Sequence, residues 1–151
     1  MSETNKRPNI WARRKARRAL VQAAYQWQLS ATSPRQLTEE FSETALDRAD
    51  TEFFDDILKR MIGTAAQLDA QLAPLLDRPI AQLDAVERGV LRLAATELNE
   101  RIDIPYRVVI DEYVALAKLF GAEDGYKFVN GVLDKLARET REVEVDALGE
   151  T

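Results

Sequence analysis

Residues 12–29 read ARRKARRALVQAAYQWQL and predict a helix with two unlike faces. At about 100° per residue, one side collects the small and apolar residues Ala16, Ala19, Leu20, Ala23, Ala24 and Trp27. The opposite side carries Arg14, Arg18, Gln22 and Tyr25. We therefore predict a helix from about Ala12 to Ser30 that packs on a core with one face and presents guanidinium groups and a phenol to solvent.

The same stretch is the basic part of an acidic chain. Residues 1–35 contain eight Lys or Arg and one acid, whereas residues 36–151 contain thirteen basic and twenty-five acidic side chains. A local basic patch holds nucleic acid even where the net charge of the protein, here −5, is unfavourable at long range. Guanidinium groups bind phosphates, and aromatic rings stack on unpaired bases. The alternative is an ordinary solvated helix face.

Composition indicates a globular protein and excludes several kinds of catalysis. The chain is 46% hydrophobic and has 151 residues, enough for a sizeable core. It contains no Cys and no His, which excludes zinc sites built from those residues, thiol nucleophiles and imidazole bases. The adjacent acids Asp55 and Asp56, or Glu123 and Asp124, are candidates for a Mg²⁺ site, but such pairs are usually only solvated. We expect no enzyme activity, no metal and no cofactor.

Neither a membrane span nor a signal peptide is visible in the sequence. No apolar run approaches the roughly 20 residues needed to cross a bilayer. The opening MSETNKRPNIW lacks the apolar centre of a signal peptide. We therefore expect a cytoplasmic protein.

Helical patterns continue along the chain after residue 30. Capping signals and apolar residues at three- and four-residue spacing predict helices at about 34–43, 50–72, 85–101, 105–120 and 126–138. Gly63 is expected at a close helix contact. No sustained alternation predicts a strand, so the fold class is all-α. Residues 1–11 are expected to form a flexible basic arm and residues 139–151 an acidic mobile tail.

A second informative stretch is LFGAEDGYKFVNGVLDKL, residues 119–136. Tyr126, Lys127 and Phe128 lie where a glycine-bearing loop becomes a helix, and the backbone N–H groups of a helix start favour anions. The alternative is that Phe128 packs inward and Lys127 is incidental. Gly131 within the helical pattern predicts close contact with another helix or a partner.

Four segments together carry a family resemblance. They are the basic opening with ALVQAAYQWQL, then LDAVERGVLRLAATEL, IPYRVVIDEYVALAKLFG and KFVNGVLDKL. In this order and spacing they resemble the NusB family of bacterial transcription antitermination factors, over residues of about 10–138. The resemblance implies an all-α fold of about seven helices in two packed subdomains, at about 12–76 and 80–138.

The resemblance also implies a binding function. Together with NusE, a small-subunit ribosomal protein, the family binds the single-stranded boxA element of ribosomal-operon RNA. That complex acts with other Nus factors on transcribing RNA polymerase and supports processive transcription. A homodimer is the alternative assembly when NusE is absent. The same helical module also precedes ribosomal-RNA cytosine methyltransferase domains, which gives an alternative as an RNA-binding relative of those enzymes.

Site residues follow from the resemblance by position. Arg13, Arg14, Lys15 and Arg17 match the arginine-rich RNA-contacting start of the family, and Arg18 lies beside them. A second RNA-contacting region is matched by Asp124, Lys127 and Phe128. Tyr25 and Glu87 match positions near the RNA and NusE surfaces.

Two further classes of protein fit the basic helix. A protein-interaction module without RNA specificity would use the arginines to bind an acidic partner. A DNA-binding regulator would place the first helix in a major groove.

Overall fold

The computed structural model describes residues 9–43 and 45–149, and in those ranges the chain forms eight α-helices and no strand. They are α1 (Ile10–Ser30), α2 (Pro34–Ser42), α3 (Thr51–Gly63), α4 (Ala65–Leu72), α5 (Ala85–Glu100), α6 (Tyr106–Phe120), α7 (Gly125–Thr140) and α8 (Glu142–Gly149). Short 3₁₀ turns at Ala73–Leu75 and Ile80–Gln82 connect α4 to α5. The predicted all-α class is confirmed. Within these ranges no helix has the length and apolar character that a membrane crossing requires.

Helix α1 begins two residues earlier than predicted. The side chain of Asn9 accepts a hydrogen bond from the backbone N–H of Ala12 at 3.0 Å and so caps the helix. Ile10 and Trp11 therefore belong to α1 and not to a flexible arm, whereas residues 1–8 of that predicted arm lie outside the described residues. The predicted core face is confirmed for the residues that are at most 1% exposed, Ala16, Ala19, Leu20, Ala23 and Ala24.

Helix α5 is the central helix of the core. It packs against α1, α3, α6 and α7, and Leu91, Leu93 and Ala94 are completely buried. Gly89 allows α1 to come close, because a Cβ at this position would lie 3.3 Å from the Cβ of Ala24. The described helices share one hydrophobic core, and the division into two subdomains stays a prediction.

The predicted long helix over residues 50–72 is interrupted. Thr64 leaves helical geometry, with φ −123° and ψ 21°, and its backbone N–H donates to the carbonyls of Arg60 and Met61. The break separates α3 from α4. The expected close contact at Gly63 is wrong, because a Cβ there would meet nothing within 4 Å. Gly131 has equally open surroundings among the described residues, so close helix packing does not explain it either.

The predicted mobile tail is corrected for residues 139–149, because helix α8 follows α7 directly, whereas residues 150 and 151 lie outside the described residues. Arg141, between the two helices, has a fully buried side chain. Its guanidinium donates to the carbonyls at the end of α5 and in the following turn, those of Glu97, Leu98, Arg101 and Ile104. The last carbonyls of a helix have no partner within the helix, and Arg141 supplies a donor to that of Leu98 and adds a second one to that of Glu97, which also accepts from the backbone N–H of Arg101.

Glu144 of α8 completes the same connection. Its carboxylate accepts from Arg141 Nη1 at 2.7 Å and from the backbone N–H of Tyr106 at 2.8 Å. Tyr106 is the first residue of α6, and the first N–H groups of a helix also have no partner within it. Arg141 and Glu144 therefore hold the end of α5 and the start of α6 together. The acidic composition of residues 139–151 does not predict this structural role.

Candidate nucleic-acid interface

One face of α1 exposes three of its five basic residues that are predicted to contact RNA. Arg14, Lys15 and Arg18 are exposed, which confirms the predicted solvent face together with Gln22 and Tyr25. Trp11, one turn before Arg14, belongs to the same face because residues three, four or seven apart align on a helix. We call this set the α1 stripe: Trp11, Arg14, Lys15, Arg18, Gln22 and Tyr25.

The arginines of the α1 stripe are oriented by neighbours without being enclosed. Arg14 Nε donates to Glu112 at 3.0 Å while the side chain stays 50% exposed. Its guanidinium also lies 5.2 Å from the centroid of the Trp11 ring. The Arg18 guanidinium lies 5.7 Å from the Phe120 ring. A guanidinium that stacks on a ring keeps N–H groups at its edge for phosphate oxygens.

A cleft of about 280 Å³ runs beside the α1 stripe. Its lining comes from three helices and consists of Val21, Gln22, Tyr25, Val86 and Phe120. Tyr25 is 43% exposed at this cleft, so its phenol ring is accessible. The fold therefore brings the end of α6 and the start of α5 next to the basic helix.

Where α6 and α7 meet, one lysine from each helix lies near the ring of Tyr126. Lys118 Nζ and Lys127 Nζ lie 4.6 and 5.9 Å from the centroid of the Tyr126 ring. Asp124 precedes α7 in the left-handed region, with φ 68°, a conformation that Asp tolerates better than most residues. Its carboxylate lies 3.5 Å from Lys127 Nζ, and both side chains are about two-thirds exposed. Lys118 of α6 and Lys127 of α7 place two positive charges on either side of a loop that itself contains two acids, Glu123 and Asp124.

Phe128 is partly buried, so only part of its ring is accessible for stacking. It packs against the hydrophobic core, as the inward-packing alternative predicted. The guanidinium of Arg78 lies 5.5 Å from the centroid of its ring. A base that stacks here has to share the ring with Arg78.

Glu87, predicted at a partner surface, is 8% exposed. Burial and the neighbouring charge of Asp84 raise the pKa of its carboxyl, and the charge of Arg78 only partly opposes this. The carboxylate lies directly against Gly125, where any Cβ would collide with it. Glu87 therefore connects the start of α5 to the start of α7 and offers little surface to a partner.

Arg17 is not accessible, and its predicted place in the RNA-contacting patch is corrected. Its side chain is 3% exposed, and Nε and Nη2 donate to the two carboxylate oxygens of Glu97 at 2.9 Å each. The hydroxyl of Tyr113 donates to the same carboxylate at 2.6 Å. Burial and the Glu97 charge raise the pKa of Tyr113, so the phenol keeps its proton and remains a donor. Arg17 lies three residues before Leu20 and seven before Ala24, both completely buried, and this spacing places it on the core side of α1.

Arg13 lies between these two environments. Its side chain is 16% exposed, and Nη2 lies 3.5 Å from Asp50. Its guanidinium stacks 4.6 Å from the centroid of the Phe53 ring, which the guanidinium of Arg17 approaches to 5.0 Å. Arg13 adds charge near the α1 stripe but is held against α3, and its RNA contact stays a prediction.

Sequence reasoning missed Trp11, Lys118 and Phe120. The spacing of three residues from Trp11 to Arg14 and of seven to Arg18 indicates a shared helix face, although Trp11 falls within the predicted flexible arm. Lys118 and Phe120 reach the surface described here only through the packing of α6 on α5 and α1. In the part of the chain that the structure describes, no three Asp or Glu side chains are grouped so as to hold a metal ion.

Several known sequences similar to this chain share one description. The model of the NusB family matches residues 14–138. Transcription antitermination protein NusB of Alcanivorax borkumensis is 52% identical over 134 residues, which cover 88% of this chain and 89% of that protein. Transcription antitermination protein NusB of Paraburkholderia xenovorans is 50% identical over 137 residues, 90% of this chain and 95% of that protein.

Solved structures agree with the sequence matches. T. maritima NusB superposes with a TM-score of 0.74 at 32% identity and covers 83% of this chain and 90% of its own. A crystal structure of the antitermination factors NusB and NusE in complex with dsRNA has a chain that superposes with a TM-score of 0.79 at 27% identity, covering 87% and 99%. With most of its length matched by the family model and about half of the aligned residues identical to those of such relatives, the chain belongs to the NusB family.

Proposed function

We propose that this chain is a transcription antitermination factor that binds the single-stranded boxA element of ribosomal-operon transcripts together with NusE. The observation that carries the RNA-binding part is the exposed α1 stripe beside the cleft at Tyr25. Cations in a row neutralise successive phosphates, and an accessible ring at the end of the row stacks on a base. Membership of the family supports the assignment to transcription.

The RNA surface combines the α1 stripe with the start of α7. The exposed cations, which a phosphate can contact without any change in the core, are Arg14, Lys15, Arg18 and Lys127. Arg18 is stacked on Phe120, and Phe120 lines the cleft that Tyr25 also lines. A strand that follows the α1 stripe therefore arrives at the aromatic side chains of the cleft. Duplex RNA would offer its phosphates to the same cations but would keep its bases paired.

NusE would bind next to this surface and close it around the RNA. Tyr25 and the first turn of α5, with Val86 and the small exposed part of Glu87, form the edge where a partner contacts both protein and RNA. Joint binding gives higher affinity than either protein alone because both contribute contacts to one strand. The assembled complex would then act with other Nus factors on transcribing RNA polymerase in the cytoplasm. The protein's own role is binding, without catalysis.

Gel-shift titration with boxA RNA, in the presence and absence of NusE, tests the proposal. We expect the heterodimer to bind at least tenfold more tightly than this chain alone. Arg14→Glu with Arg18→Glu should abolish the shift and leave the helical circular dichroism unchanged. The matched control is Arg35→Glu with Lys59→Glu, which makes the same change of net charge at side chains 88% and 58% exposed on α2 and α3. The proposal fails if both double variants bind alike.

Salt dependence measures how much of the affinity comes from phosphates. Four neutralised phosphates give a slope of log K against log salt of about −3, at about −0.7 per contact on single strands. Arg14→Ala should make the slope less steep by about 0.7, the contribution of one phosphate contact. An affinity that does not change with salt would contradict binding through the α1 stripe.

The protein-interaction alternative makes the opposite prediction for the same variant. If the arginines bind an acidic protein and not RNA, Arg14→Glu with Arg18→Glu should abolish capture of that acidic protein and leave the retention of RNA on a filter unchanged. Equal competition by duplex DNA and by single-stranded RNA would instead support the DNA-binding alternative.

A further inference from the structure

Trp11 is a large apolar side chain that α1 leaves in solvent. It is 71% exposed, and the only other tryptophan, Trp27, packs against the core on the same helix. Single exposed apolar residues are common, so exposure alone decides nothing. The position of Trp11 relative to the basic residues is what distinguishes it.

Trp11 and Tyr25 are the two ends of the α1 stripe. They are 14 residues apart, which is about 21 Å along a helix that rises 1.5 Å per residue. Because 14 residues are almost four full turns, the two rings lie on one face of α1. Between them the face carries Arg14, Lys15 and Arg18 and little else than Gln22. The stripe is therefore a row of cations with an accessible aromatic ring at each end.

This order of groups is what a single strand of nucleic acid requires. Phosphates need cations at intervals along the backbone, and unpaired bases stack on exposed rings with little dependence on sequence. Arg14 can contact a phosphate while it lies beside the ring that stacks on a base, because its guanidinium is 5.2 Å from the centroid of the Trp11 ring and its side chain stays half exposed. The positive charge next to Trp11 favours an anionic strand over an apolar protein partner.

We propose that Trp11 stacks on one further base of the bound RNA, beyond the nucleotides held at Arg14, Arg18 and Tyr25. The inference rests on the proposed function, since it adds a nucleotide to the same strand. It extends the RNA surface by one turn of α1 towards the helix start. The contact is independent of the base that occupies the position.

Intrinsic fluorescence tests the stacking directly. Trp27→Phe leaves Trp11 as the sole tryptophan, and this variant, in complex with NusE, is titrated with two RNAs. One is a minimal boxA RNA, and the other is the same RNA lengthened by several adenosines at its 5′ or 3′ end. We expect one of the lengthened RNAs to quench Trp11 and the minimal RNA to leave its emission nearly unchanged.

The affinity of Trp11→Ala gives the second readout. For the lengthened RNA that quenches Trp11 we expect a loss of about 5- to 150-fold, the range for one base stacked on an aromatic ring. For the minimal RNA the variant should bind as the unmodified protein does, and Trp11→Phe should recover most of the loss. Leu29→Ala, at a side chain of α1 that is 66% exposed, is the matched control and should bind both RNAs normally.

The outcomes separate this inference from the proposed function. If the unmodified protein binds neither RNA, the proposed function fails. If it binds both RNAs with equal affinity and without quenching, or if Trp11→Ala changes nothing, the stacking inference fails and the proposed function stands. A Trp11→Ala variant that loses NusE while it keeps the lengthened RNA also overturns the inference, because it assigns the ring to a protein contact.

Discussion

Arg17 and Arg18 are adjacent in the sequence and lie in opposite environments. Arg17 is 3% exposed and bound to Glu97 within the core, whereas Arg18 is exposed on the α1 stripe with Phe120 behind its guanidinium. The two side chains point about 100° apart around the helix axis, and that rotation separates a structural role from a binding role. A count of basic residues in this stretch therefore overestimates the charge that RNA can reach.

The buried side of the comparison extends beyond one ion pair. The ring of Phe53 is approached by three guanidinium groups, those of Arg13, Arg17 and Arg101, at 4.6, 5.0 and 5.3 Å. The carboxylate of Glu97 is 0% exposed and takes hydrogen bonds from Arg17 and Tyr113. Hydrogen bonds hold Arg17, Glu97 and Tyr113 together, and the removal of either charged member leaves the other charge in the core without its ionic partner.

The largest expected effect is on the buried side. Arg17→Ala should destabilise the protein by about 3–5 kcal/mol, because Glu97 would remain in the core as an unpaired carboxylate. Urea unfolding followed by circular dichroism measures the change. Arg17→Met with Glu97→Gln should cost less than Arg17→Ala alone, since it removes both charges. A loss below about 1 kcal/mol for Arg17→Ala would show that the pair is hydrated, and the contrast with Arg18 would disappear.

Arg141 provides a second buried arginine, far from the basic stretch. Arg141→Ala should cost about 2–4 kcal/mol, because the carbonyls of Leu98 and Ile104 lose the guanidinium donor and Glu144 loses its buried ionic partner. RNA affinity of the folded fraction should not change, as α8 lies outside the α1 stripe. Arg138→Ala, at an exposed position near the end of α7, is the control. A stable Arg141→Ala protein would mean that α8 contributes little to the fold.

The exposed side should show the reverse pattern. Arg14→Ala removes an ion pair with Glu112 whose arginine is 50% exposed, and exposed pairs contribute about 0.2–1 kcal/mol. The midpoint of urea unfolding should therefore change little while RNA affinity falls. A large loss of stability would place Arg14 with Arg17 and break the distinction between the two sides.

The smallest effect is expected at Glu87, which lies between the two environments. A carboxyl whose pKa is raised in the folded state is favoured in its neutral form, so stability falls as pH rises through that pKa. Glu87→Gln should therefore raise the thermal midpoint slightly at pH 7, and the gain should vanish as the solution becomes acidic. Glu123→Gln, at an exposed side chain nearby, is the control. A lower midpoint at pH 7 would mean that the charge of Glu87 stabilises the fold through Arg78.

Local patterns predicted the parts of the fold that depend on neighbouring residues. The apolar face of α1, the start of α2 at Pro34 and the start of α5 at Ala85 all lie where the spacing of residues placed them. The break at Thr64 and the helix α8 were missed, because neither has a strong local signal. Helix α8 is held by Arg141 and Glu144, whose partners lie about forty residues earlier in the chain. Contacts of that separation leave no periodicity in the sequence.

The sequence by itself determined an all-helical chain with a basic first helix and a resemblance to one family, because helix periodicity, caps and charge are properties of short segments. Only the tertiary structure decided which arginines are accessible. Arg17 is enclosed because Glu97 and Tyr113 arrive from α5 and α6, and Arg18 is exposed beside Phe120 at the end of α6. The environment of a charged side chain depends on residues that are distant in the sequence, and the packing of the core determines where those residues lie.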